Sequence, residues 1–215
     1  MKPDMKKIKE ESLTKAYAQA LDDMNDDDII QMLSELNYLK KQLRTQSDVI
    51  ARLKQEAHHD PLTELPNRRL FERELEKAMS YYSRYRRIGT VLVIDANSFK
   101  AINDSLGHLA GDAVLKHIAT LLKKHTRSAD TVARIGGDEF AVIMREAGSE
   151  KAFEKAKNLA DVIASTPCIY EGREIHASVS IGGCCFTDAE TKRDLMHKAD
   201  SAMYHSKNNT NVAVA

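Results

Sequence analysis

The chain has 215 residues, of which 42% are hydrophobic and 30% charged, the composition of an ordinary globular protein and not of a disordered one. Its 32 Lys and Arg balance 32 Asp and Glu, so no broad basic field for gripping nucleic acid is expected. No apolar run is long enough to span a membrane, and Met1-Lys2-Pro3-Asp4 lacks the apolar core of a signal peptide. The expectation is a cytoplasmic protein with neither a nucleic acid nor a membrane as partner, built from one domain of roughly 150–170 residues plus an extension.

The extension comes first. Residues 1–57 contain no Gly and one Pro and are rich in Lys, Glu, Asp, Gln and Leu, a helical composition. Residues 6–24 read as a helix of modest amphipathicity, with Ile8, Tyr17, Leu21 and Met24 as apolar positions. The run Asn25-Asp26-Asp27-Asp28 breaks it and offers an Asp as N-cap for the next helix. From there Ile29, Met32, Leu36, Leu39, Leu43, Gln46, Ile50, Leu53 and Ala57 recur at alternating steps of three and four. Such a narrow seam between charged flanks predicts a dimeric coiled coil over about residues 29–57, with polar Gln46 fixing the register. The blander alternative is a helix packed on its own domain. The helix should stop near His58-His59-Asp60-Pro61, because the residue before a proline is pushed out of the α region. The two histidines lack a third ligand at helical spacing and read as a solvated linker.

The globular part, residues 58–215, alternates elements. Helices are predicted over 68–86, 112–124, 150–164 and 192–206, and strands over 90–95, 131–135, 140–144 and 175–186. Gly136-Gly137 reads as a two-residue hairpin link in which both glycines can take positive φ. This order predicts an α/β fold, a mixed central sheet with flanking helices on a βαββαβ core. Cys168 stands alone and adjacent Cys184 and Cys185 lack metal-ligand spacing, so all three are expected to be buried, reduced thiols.

Two acidic points carry chemistry. Asp95 ends a buried apolar strand, where a carboxylate needs a partner or a cation. Asp138 and Glu139 follow the hairpin glycines, and the hairpin could lie beside that strand end. Carboxylates converging there suit Mg2+ or Mn2+, and two such ions can neutralise a triphosphate during in-line attack. Taken alone, Asp138 and Glu139 are more often a pair of solvated turn acids. Ser98-Phe99-Lys100 opens a short helix or turn whose free N–H groups can hold phosphate oxygens, and Lys100 adds a charge. Asn103 and Asp112 have the donors and acceptors to read a purine edge. Lys207, late in the chain, could return to the phosphates.

Seven segments now stand in order: Asp60-Pro61-Leu62-Thr63-Glu64-Leu65-Pro66-Asn67-Arg68-Arg69, Asp95 through Lys100, Ile102 through His108, Gly111-Asp112, Ala133 through Phe140, Ser180-Ile181-Gly182 and Ala199 through Tyr204. The series resembles that of the GGDEF-domain diguanylate cyclases. The resemblance implies a nucleotidyl-cyclase or palm-like core and condensation of two GTP into cyclic di-GMP with release of two pyrophosphates. Two domains must face each other, which would give the coiled coil its purpose in a homodimer. It further implies that Asp95, the Ala96 carbonyl, Asp138 and Glu139 hold two Mg2+ or Mn2+ ions per site. Asp138 and Glu139 would be the catalytic acids, with Glu139 assisting the metal or deprotonating the hydroxyl. Ser98, Phe99, Lys100, Gly137 and Lys207 would contact the phosphates, and Asn103 and Asp112 the guanine.

Arg127-Ser128-Ala129-Asp130 precedes the glycine pair at the offset of the family's inhibitory product site. Arg127 can fork onto a phosphate or stack on guanine and Asp130 can accept from a guanine edge, whereas a surface ion pair is the plainer reading. Three positions depart from the pattern: Asn97 where a second Asp is usual, Glu64 where Gly is commoner, and Asn211 where a phosphate-contacting Arg is expected. Asn97 makes the site less anionic, and Asn211 predicts weaker triphosphate contact. Retained Asp112 argues for guanine specificity. The rival readings are a catalytically silent cyclic di-GMP receptor signalling through the coiled coil, and a helical scaffold. The short extension leaves room for an upstream sensory partner.

Overall fold

A computed structural model of the protein describes residues 15, 19, 25–209 and 212–214. The helix expected over residues 6–24 lies, apart from 15 and 19, outside the described residues, as does Asn211. The chain divides into two units between Lys54 and Gln55.

Most of helix α1 (Asp26–His58) belongs to the first unit. Its cap is Asn25, not one of the aspartates: Asn25 Oδ1 accepts from the Asp28 N–H at 2.9 Å, and the Asp28 carboxylate accepts from the Asn25 N–H at 3.3 Å. This reciprocal box satisfies two groups at once, which an Asp cap with no return partner would not. At 1.5 Å per residue the helix is about 50 Å long. Ile29, Met32, Leu36, Leu39, Leu43, Ile50 and Leu53, the apolar seam, are all exposed.

The second unit is a sheet between two layers of helices. Its elements are α2 (Arg68–Tyr85), β1 (Gly89–Ala96), α3 (Phe99–Leu106), α4 (His108–Lys124), β2 (Thr131–Arg134), β3 (Glu139–Arg145), α5 (Ser149–Ser165), β4 (Cys168–Tyr170), β5 (Arg173–Ile175), β6 (Val179–Cys185), α6 (Lys192–Asn209) and β7 (Val212–Val214). The five-stranded sheet runs β2-β3-β1-β6-β7, antiparallel except for the β6–β7 pair, and β4–β5 forms a separate hairpin. Successive residues of β1 serve opposite faces. Leu92 and Ile94 join Val114, Ile118 and Leu122 of α4 and Ala156 and Leu159 of α5 in one core. Val91 and Val93 join Phe71 and Leu75 of α2 and Leu195 and Ala199 of α6 in the other. The mixed α/β sandwich expected from the sequence is the fold observed.

Several local expectations are corrected. The long strand over 175–186 is two strands, because Ile175 still pairs with Cys168 of β4 while Val179 begins the pairing with β1, and residues 176–178 carry the chain from one sheet to the other. Helix α4 starts at His108, after Gly107 at φ 85° separates it from α3. The β2–β3 link spans residues 135–138, and neither Gly136 nor Gly137 has positive φ. His58 and His59 form a half-buried joint, not a solvated linker: the His58 carbonyl accepts from the Asn67 N–H at 2.8 Å, and His59 bridges to Pro66. The three cysteines are buried and unbridged, and burial, with Asp188 nearby, pushes the Cys184 thiol up to about 11. Among the described residues, no helix is long and apolar enough to cross a membrane.

Candidate active site

The site lies where β1 ends between two antiparallel neighbours. Asp95 stands opposite Glu139 of β3 on one side and Ser180 of β6 on the other. The Ala96 N–H donates to the Asp138 carbonyl at 3.1 Å, which pins the start of the hairpin to β1. The backbone thus brings Asp95, Ala96, Asp138 and Glu139 together. Asp95 is only 8% exposed, and its Oδ1 meets the Lys207 Nζ of α6 at 2.7 Å. Lys207, expected at phosphates, here holds a carboxylate.

The Glu139 side chain curls back onto its own turn, and this explains Gly136. A Cβ at that position would collide with the Glu139 carboxylate, whereas one at Gly137 would meet nothing within 4 Å. The first glycine makes room for an acid; the second leaves open space above an exposed backbone. Among the described residues, no three His, Cys, Asp or Glu side chains gather as a closed metal cage. The donors nevertheless fit a hard cation. Mg2+ usually takes one or two carboxylates and fills its remaining positions with water and substrate phosphates. Asp95 Oδ1 already accepts a positively charged partner.

Asn97 points elsewhere. Its Nδ2 donates to Ser178 Oγ at 3.1 Å and its Oδ1 accepts from buried Ser180 Oγ at 2.7 Å. It stitches the end of β1 to β6, and the chain then turns through Ser98 in the left-handed region (φ 54°) into α3. Lys100 is exposed in the first turn of that helix. Helix α3 packs on α4 at Gly111, where a Cβ would strike Asn103 Oδ1. That oxygen is buried and has no hydrogen-bond partner, an uncommon condition for a polar atom in a folded chain. Asp112 follows Gly111 and is partly buried.

Arg127 and Asp130 sit in the α4–β2 loop, remote in sequence from β1. They do not pair as a surface bridge. The Asp130 N–H donates to the Arg127 carbonyl at 3.0 Å, and Asp130 Oδ1 accepts from the Arg145 N–H at 2.9 Å. Both residues line a cavity of about 380 Å³ with Tyr81, Arg87 and Arg145, and a second of about 690 Å³ with Arg73 and Lys123.

Sequence reasoning missed the device that positions the turn. Arg134 Nη1 reaches both oxygens of Asp60 at 2.9 and 3.1 Å, while its Nε and Nη2 donate to the Gly137 carbonyl at 3.2 and 2.7 Å. Thr63 adds its N–H and Oγ1 to Asp60 at 2.8 and 2.7 Å. Burial pushes the Asp60 carboxyl up, but the bonds from Thr63 and Arg134 outweigh it and hold the group below its ordinary value. Glu64, in the same turn, takes φ 58°, which explains why glycine suits this position and costs a non-glycine about 1–2 kcal/mol. Asn67 is also more than a motif letter: it caps α2 by accepting from the Leu70 N–H at 3.0 Å. An Asn just before a predicted helix was the available signal.

A family profile described as "Diguanylate cyclase, GGDEF domain" matches residues 57–212. The chain belongs to the GGDEF-domain diguanylate cyclase family. It is 39% identical over 183 residues to the diguanylate cyclase TpbB of Pseudomonas aeruginosa, covering 84% of this chain and 41% of that protein. Identity to P. aeruginosa diguanylate cyclase DgcP is 35% over 178 residues, 82% of this chain and 26% of the relative. The chain therefore spans well under half the length of these curated relatives. Among solved structures, the GGDEF domain of TpbB superposes with a TM-score of 0.70 at 40% identity, covering 74% of this chain and 94% of that one. The coiled coil and GGDEF domain of DgcB from Caulobacter crescentus, in complex with c-di-GMP, superposes at 0.80 over 86% of this chain and 99% of that one. At 24% identity, that second likeness speaks for the GGDEF fold alone.

Proposed function

We propose that the protein is a diguanylate cyclase that condenses two GTP into cyclic di-GMP and two pyrophosphates as a homodimer, with residues 58–215 as the catalytic domain and about residues 29–57 of the N-terminal segment as the dimerising coiled coil. The observation that carries the nucleotide reading is Asn103 Oδ1, buried, unpaired and set against Gly111, the residue before Asp112. An acceptor pair of this kind is complementary to the N–H groups on the guanine edge. The N–H groups at the start of α3 and the Lys100 and Lys207 ammoniums hold the triphosphate. Gly137, open above its Cα, lets the phosphates approach the turn. Asp95, the Ala96 carbonyl, Asp138 and Glu139 are the groups that would hold two Mg2+ or Mn2+ ions, which when bound neutralise the triphosphate and acidify the attacking 3′-hydroxyl. Glu139 would accept that hydroxyl proton.

Each site holds one nucleotide, so bond formation needs a second domain opposite the first. The exposed seam of α1 is the surface that joins two copies. Arg127 and Asp130 bind the product at a separate site and restrain synthesis. The test incubates the full chain with GTP and Mg2+, separates products by chromatography and follows mass by light scattering. Cyclic di-GMP from a dimer, lost in Asp138→Ala with the fold intact, supports the reading. A dimer that binds cyclic di-GMP without making it would be a receptor instead, and no nucleotide binding at all would leave a scaffold.

A further inference from the structure

We propose that Lys207 is a tethered counter-cation for Asp95, which a divalent cation must displace, and that the displaced ammonium then serves the triphosphate. The inference rests on the nucleotide reading above and deepens it. Asp95 is fixed: it is 8% exposed and sits within β1 between paired strands β3 and β6. Lys207 is the mobile partner, with a side chain 37% exposed on a long stem near the end of α6, and its Nζ is 2.7 Å from Asp95 Oδ1. A divalent cation that took that oxygen as a ligand would need the position that the ammonium now holds. The ammonium cannot keep its position beside such an ion, because the two like charges would share one oxygen. Once released, the flexible lysine needs another anion, and the triphosphate brings the only new negative charge.

The exchange links two binding events. Without nucleotide, the metal must displace Lys207 and gains nothing for it. With nucleotide, the displaced ammonium finds a phosphate, so metal and nucleotide each tighten the binding of the other by the same factor. Lys207 is therefore a substrate-contacting residue that also makes metal loading depend on substrate.

The test titrates Mn2+ into the full chain, reading free Mn2+ by electron paramagnetic resonance, first alone and then with a non-hydrolysable GTP analogue. Lys207→Met should bind Mn2+ roughly tenfold more tightly than wild type in the absence of nucleotide, within the usual range of such couplings. The further tightening on adding the analogue should shrink by a similar factor. Lys207→Arg, which keeps the charge, should retain the weak binding of wild type. Lys198→Met removes a cation from the same helix, one paired with Asp194, and should leave Mn2+ affinity unchanged. Equal or weaker Mn2+ binding by Lys207→Met, in a protein whose wild type makes cyclic di-GMP, overturns this inference alone. Failure of wild type to bind either Mn2+ or the analogue overturns the nucleotide reading with it.

Discussion

Replacing Arg134 with Met tests whether the opening motif of the domain holds the Gly136–Glu139 turn. The Arg134 and Asp60 side chains are 13% and 16% exposed. Removing one partner from a buried pair costs about 3–5 kcal/mol, and from an exposed pair about 0–1 kcal/mol. Here Asp60 keeps its two bonds from Thr63, but the Gly137 carbonyl loses both of its donors. The expected loss is about 2–3 kcal/mol. At about 2–4 °C per kcal/mol for a domain of this size, Tm should fall by roughly 4–12 °C in differential scanning calorimetry.

The pH dependence sharpens this expectation. The folded pKa of Asp60 is depressed, so its stabilisation is complete above the unfolded value of 3.8 and disappears as pH falls through the lower folded value. The gap in Tm between wild type and Arg134→Met should hold steady from pH 7 to 5 and narrow below pH 4. Arg134→Lys, unable to fork onto Asp60 and Gly137 together, should recover only part of the loss. A drop of less than 2 °C, or a gap that widens in acid, would refute the reasoning.

Two glycine contrasts extend it. Gly136→Ala should leave the fold intact, because the Glu139 carboxylate can swing aside, yet depress cyclic di-GMP synthesis by displacing that acid; Gly137→Ala, with open space around its Cβ, should cost no stability, as calorimetry beside the activity assay would show. Gly182→Ala should be far worse, since the new Cβ would meet the backbone of Met203 and Ala199, which cannot swing away. Forcing α6 off the sheet should cost at least about 3 kcal/mol, read as a fall in the urea midpoint.

The sheet core was legible because its signals are local. The run from Thr90 to Asp95 could only be a buried strand, and β3 behaved likewise. The short β7 was missed because three residues carry no periodicity, and the break before β6 because the switch from pairing with β4 to pairing with β1 leaves no local mark in the sequence. The site divided in the same way. Adjacency placed Asp138 beside Glu139, and the motif series tied both to Asp95. Nothing local could show the Asp60–Arg134 pair, whose members are 74 residues apart, or that Gly136 is there for lack of a Cβ and not for positive φ. Conformational freedom is the default explanation for a glycine pair in a turn, and here it is the wrong one.

The site is held from opposite ends of the sequence. Residues 66–68 lie between the last turn of α1 and the hairpin: Asn67 donates its N–H to the His58 carbonyl at 2.8 Å and its Nδ2 to the Ala57 carbonyl at 3.1 Å. On the other side, the Pro66 carbonyl accepts from the Arg134 N–H at 2.9 Å, and Arg68 Nε donates to the Ile135 carbonyl at 2.8 Å. Each bond is worth about 1 kcal/mol net, and breaking one leaves a polar group unsatisfied. The hairpin therefore cannot shift independently of the joint at His58, while Asp95, on the adjacent strand, is held by Lys207 from α6. One clamp is a rigid mesh of backbone and planar side chains; the other is a single flexible lysine. Only the second can let go of its carboxylate without disturbing the fold, which is the property a displaceable cation requires.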